Sequence, residues 1–92
     1  MSADAAPDKK LEAINWLYLG NAYLETDNPK AAINAFEKVL KNEPLLSIQA
    51  RWYLGLSDLA LGNKDQAKAV FEKLAENESS YNEKAKAILD KL

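Results

Sequence analysis

Cysteine and histidine are both missing from this 92-residue chain. Without cysteine there is no disulfide framework, and the redox compartment stays open. Without histidine the commonest general base goes, and with it the Ser-His and Cys-His nucleophile pairs and the usual imidazole ligands of zinc. No metal and no cofactor is therefore expected. Long apolar runs are lacking too: none approaches the roughly 20 residues that a bilayer-spanning helix needs, so this segment is not expected to insert into a membrane. The opening MSADAAPDKK has no apolar centre, and no secretory leader is read there. Positive charge is not in excess. The net charge of −2 argues against nucleic acid as a partner, because neutralising phosphates takes a clustered surplus of Lys and Arg. Long runs of period-two alternation are also missing and β-branched residues are few, so strands are not expected.

What is there is a series of helical segments with clear punctuation. The first is expected to follow Pro7-Asp8, with Asp8 as its N-cap, and to run to about Thr26. Asp27-Asn28 then leads into Pro29: Asn is a good cap, and Pro suits the first helical position, where its missing N–H is not needed. Pro44 ends that second helix. Ser47 is the expected cap of the third, and Gly62 closes it by accepting the left-handed conformation common just past a helix end. Asn63 with Gln66, and Ser80 with Glu83, have the capping-box spacing at the starts of the fourth and fifth. Helices joined by loops this short pack as antiparallel neighbours.

These helices are of two kinds. The second gathers Ala32, Ala35, Phe36, Val39 and Leu40 on one face, with Lys30, Asn34, Glu37, Lys38 and Lys41 opposite. The fourth does the same with Ala67, Val70, Phe71 and Leu74. Each buries one stripe and shows the other to water. The first and third carry two apolar stripes. Trp16, Leu19, Gly20 and Tyr23 form one on the first helix, with Leu17 and Leu24 on another. Leu54 and Gly55 mark the first stripe of the third helix, and Ile48, Trp52, Leu56 and Leu59 the second. Two stripes need cover from two sides, by neighbouring helices or by a partner.

Sliding the chain by 35 residues against itself brings Tyr18 onto Tyr53, Leu19-Gly20 onto Leu54-Gly55, Leu24 onto Leu59 and Asn28 onto Asn63. It also brings Ala32 onto Ala67 and Phe36-Glu37-Lys38 onto Phe71-Glu72-Lys73. A period of this size marks stacked supersecondary units. In the first unit Trp16, Leu19, Gly20, Tyr23, Ala32, Phe36 and Pro44 follow W-x2-L-G-x2-Y, A-x3-F and P, which resembles the tetratricopeptide repeat (TPR). In the second unit Arg51, Asp58 and Ser79 depart from that pattern, and Arg51 and Asp58 are expected at a solvent edge. The resemblance implies an all-α, TPR-like solenoid of two antiparallel helix hairpins plus a C-terminal capping helix, five helices in all. Residues 1–8 would be a flexible N-terminal segment and 9–92 a single domain, with repeats at 13–46 and 48–81 and the cap at 82–92. It also implies that Gly20 and Ala32 let the two helices of the first hairpin approach closely.

TPR domains mostly bind extended peptides or helices in a groove lined by the first helix of each repeat. Carried over, that groove presents Leu17, Asn21, Leu24 and Glu25, then Gln49, Trp52, Leu56 and Leu59. The expected function is a non-catalytic scaffold for an apolar peptide or amphipathic helix from a protein partner. The alternative is a structural repeat segment that self-associates or completes a longer solenoid. An enzyme would have to use carboxylates alone; Glu37, Glu72 and Glu76 lie on polar faces and Asp58 beside an apolar stripe, so no catalysis is expected. The ending YNEKAKAILDKL resembles the ends of bacterial TPR regions, some from membrane-tethered proteins. That leaves the cytoplasmic and periplasmic sides of a membrane both open.

Overall fold

A computed structural model describes residues 5–42, 46–76 and 81–92. Among the described residues five helices follow one another: α1 (Ala5–Glu25), α2 (Pro29–Asn42), α3 (Ser47–Leu61), α4 (Lys64–Glu76) and α5 (Asn82–Lys91). Among the described residues there is no strand. Helix α1 begins upstream of the expected cap, so Asp8 lies within the helix. Pro7 sits in the first turn, where a missing N–H breaks no intrahelical bond. Of the expected N-terminal segment 1–8, residues 5–8 fall within α1 and residues 1–4 lie outside the described part, as do Pro44, Ser79 and Ser80.

The two hairpin turns are built alike. After α3, the Asn63 N–H reaches the Asp58 carbonyl at 2.8 Å and the Gly62 N–H reaches Leu59 at 3.0 Å, with Gly62 at φ 92°. After α1, Asn28 bonds Tyr23 at 2.8 Å and Asp27 bonds Leu24 at 3.2 Å, with Asp27 at φ 62°. Both are left-handed caps with the 6→1 and 5→2 bonds of the Schellman motif. Asp27 therefore does the work of a glycine, and short polar side chains tolerate that region best. Asn28 and Asn63 then accept the first intrahelical bonds of α2 and α4, from Ala32 and Ala67. The other two expected caps differ. Ser47 is inside α3, with Leu46 flanking it, and Tyr81 flanks α5, so Glu83 falls one position short of the capping-box register.

Packing runs in sequence order: α1 against α2, α2 against α3, α3 against α4, α4 against α5, with α1 also touching α3. Contacts concentrated between neighbouring helices give a long, thin molecule, 51 × 30 × 17 Å, as stacking of repeats requires. The one-sided helices supply the sealed core, with Phe36, Val39, Phe71 and Leu74 all at 0 % exposure. Two clusters form. Val39 joins Ala13 and Ala50, with Trp16, Leu17, Leu40 and Leu46 packed around them. Phe71 and Leu74 join Ala67 and Ala85, surrounded by Trp52, Leu56, Leu59, Val70, Ile88 and Leu89 among others.

The repeat is also legible in how each hairpin closes. A Cβ on Gly20 would lie 2.5 Å from Cε1 of Phe36, and one on Gly55 would lie 2.6 Å from Cζ of Phe71. Each glycine is the seat of a phenylalanine ring from the second helix of its own hairpin. Ala32 is buried, yet the group that requires Gly20 to lack a side chain is the Phe36 ring.

Candidate functional site

The residues expected to line the groove fall on two helices that touch, α1 and α3. Leu17 is half-buried and packs on the first cluster. One turn on, the Asn21 side-chain Nδ2 donates to the Leu17 carbonyl at 3.0 Å, a bond within the helix. Leu24 is half-buried and Glu25 exposed. On α3, Gln49 is exposed, whereas Trp52, Leu56 and Leu59 are half-buried and pack on the second cluster beside Ile88 and Leu89 of α5. Leu17 thus belongs to one core, and Trp52, Leu56 and Leu59 to the other.

Trp52 has aromatic neighbours on two sides. The Phe71 ring meets it edge-on at 5.5 Å and 65°, and the Tyr81 ring stacks on it at 5.4 Å and 23°. Offset edge-to-face and stacked rings at these separations attract beyond their area burial. The Tyr81 hydroxyl shares a hydrogen bond with Tyr53, whose ring stacks on Phe36 at 5.7 Å and 19°. Burial first, and then the Tyr53 phenol, raise the Tyr81 pKa above its ordinary value. An aromatic chain therefore runs from Phe36 in one hairpin to Phe71 in the next. The 35-residue alignment carried its signal: Trp52 aligns with Leu17 and Tyr81 with Leu46, and both leucines pack on one cluster.

A second feature lies where α2, α3 and α4 meet. A cavity of about 300 Å³ is lined by Asp58, Glu37, Asn34, Lys30, Asn63 and Gln66 among others. Asp58 is only 5 % exposed. The expected solvent edge is therefore wrong for this residue: Tyr23 occupies its place in the first repeat, and the shorter acid stays under cover at the helix junction. Desolvation by burial, and then the charge of Glu37, raise its pKa above the usual carboxylate value, while a hydrogen bond from the Asn63 side chain works the other way. No group of three or more acidic side chains able to hold a metal occurs among the described residues.

Two tandem hairpins, each closed by a phenylalanine in a Leu-Gly seat and offset by 35 residues, form one repeating unit used twice. The tetratricopeptide repeat family model matches residues 13–46, and a second model of the same family matches residues 49–80. The chain belongs to the tetratricopeptide repeat family. Comparison with the curated proteins and with the solved structures found no match. TPR repeats generally mediate protein–protein interactions, and the family is generally non-enzymatic. Among the described residues of this TPR domain, no helix is long and apolar enough to cross a membrane.

Proposed function

We propose that this TPR domain is a non-catalytic scaffold whose concave face receives an apolar peptide or amphipathic helix. The observation that carries the reading is a difference in burial. Phe36 and Phe71 are sealed at 0 % exposure, whereas Leu17, Leu24, Trp52, Leu56 and Leu59, on the first helices of the two repeats, all keep accessible surface. Anchors of this kind serve helix-in-groove recognition. Asn21 uses one N–H within its own helix and has its carbonyl oxygen and second N–H for a ligand backbone. The exposed Glu25 and Gln49 form the polar rim.

Because Trp52 also holds Phe71 and Tyr81, its removal would confuse binding with stability. The test therefore uses Leu24→Lys with Gln49→Lys, charges that repel the cationic probe. A fluorescein-labelled leucine–lysine amphipathic helix serves as the probe and polarisation as the readout. The pair should weaken binding at least tenfold while the thermal melt followed by circular dichroism stays in place. Unchanged affinity would sink the groove reading.

A specific observation also favours the alternative, a repeat segment that self-associates or completes a longer solenoid. Leu11, Tyr18 and Leu19 of α1 are 59, 70 and 38 % exposed, and apolar groups gathered on one helix commonly mark a contact surface.

A further inference from the structure

The internal repeat identifies what the bare side of α1 is shaped to meet. Moving along the chain by 35 residues takes Leu11, Asn15, Tyr18 and Ala22 of α1 to Leu46, Ala50, Tyr53 and Ser57. All four α1 residues are exposed. Of their counterparts, Ala50 and Ser57 are at 0 % exposure, Leu46 packs on the cluster that holds Val39, and the Tyr53 ring stacks on Phe36. Val39 and Phe36 both belong to α2. The same side of α5 is also covered: Ala85, a further 35 residues on from Ala50, is at 0 % exposure in the cluster built on α4. In two of three places, then, this side of a first helix lies under the second helix of the hairpin before it.

We propose that the outer face of α1 is a docking surface for an amphipathic helix of the α2 type that lies outside residues 1–92. The incoming helix would place an aromatic ring on Tyr18 as Phe36 lies on Tyr53, and a β-branched residue near Asn15 as Val39 clusters with Ala50. This rests on the second reading above and names its face and occupant. A second copy of this chain is not that occupant, because both of its helices of this type are already engaged, α2 by α3 and α4 by α5. One residue departs from the template. Asn15 stands where Ala50 lies buried, so a partner without a hydrogen-bonding group there leaves an amide unpaired. Beside it, Glu12, Asn15, Trp16 and Leu19 line an open hollow of about 430 Å³.

The probe is a synthetic peptide of residues 28–42, held helical by a staple on its polar face and titrated into the isotope-labelled domain. Amide shifts should move at Leu11, Asn15, Tyr18 and Ala22. Tyr18→Asp in the domain, or Phe36→Ala in the peptide, should each weaken binding at least tenfold. Asn15→Ala, which restores the template, should strengthen it severalfold. Absent binding, binding indifferent to Tyr18→Asp, or replacement of the domain's own α2 by the peptide would each overturn the proposal. Sedimentation of the domain alone separates the two levels. A dimer abolished by Tyr18→Asp would keep the self-association reading and overturn this occupant, whereas a monomer that binds the peptide supports it.

Discussion

Alanine at Gly20 makes the sharpest test of how each hairpin is closed. Its Cβ would meet Cε1, Cζ and Cδ1 of Phe36 at 2.5, 2.7 and 2.9 Å, against an optimum of about 3.5–4.0 Å between carbons. The ring cannot easily give way, since it is fully buried and Tyr53 is stacked on it. Overpacking of this sort costs about 1–3 kcal/mol, and the gain in helix propensity from Gly to Ala returns about 1 kcal/mol. The net loss is then roughly 0–2 kcal/mol, and in a domain of this size each kcal/mol shifts the melting temperature by about 4–8 °C. A modest net change invites a cycle. Phe36→Leu deletes the two nearest ring atoms, so in that background Gly20→Ala should stabilise by up to about 1 kcal/mol. The sign reversal, read from urea midpoints by circular dichroism, corresponds to a coupling of about 1–3 kcal/mol. If the two substitutions add to within about 0.5 kcal/mol, the seat-and-ring account is wrong.

Three further outcomes are expected. Asp27→Gly should raise stability by about 0.5–1 kcal/mol, since Asp27 holds a positive φ at the position Gly62 fills in the other turn; thermal melts check it. Gly62→Ala should lower stability by about 1–2 kcal/mol although no atom lies within 4 Å of the new Cβ, because the cost is conformational; an unchanged urea midpoint would refute that. Asp58→Asn should stabilise at neutral pH. The folded-state pKa of Asp58 is raised, so the wild type is favoured while the acid is protonated and loses that advantage as pH rises through the folded value. The gain from Asn should therefore shrink as pH is lowered below that value, and a gain that is flat with pH would rule out ionisation as its origin.

The helices, their short loops and the Gly62 cap were readable because each rests on local chemistry: period, Pro, Gly and Asn. Other details depended on the partner across the gap. Asp27 and Gly62 share a backbone conformation, but only the glycine announces it. Ser47 has cap chemistry, yet the chain enters α3 at Leu46. Asp58 reads as an edge residue beside an apolar stripe, and its burial follows from α2 and α4 closing over α3. The positions proposed for the groove follow from the same stripes as the core. How much of Trp52 is covered is settled by where Tyr81 comes to rest, which no local pattern encodes.

The placing of the two tryptophans has an experimental consequence. Trp16 belongs to the first hairpin, with the Lys38 ammonium 4.3 Å from its ring centre, and Trp52 to the aromatic chain shared by the second hairpin and the last helix. Each half of the array thus carries its own native fluorophore in a distinct electrostatic setting. Single-tryptophan variants would report whether the halves melt as one cooperative block or fray from one end, the question that nearest-neighbour models of repeat proteins pose.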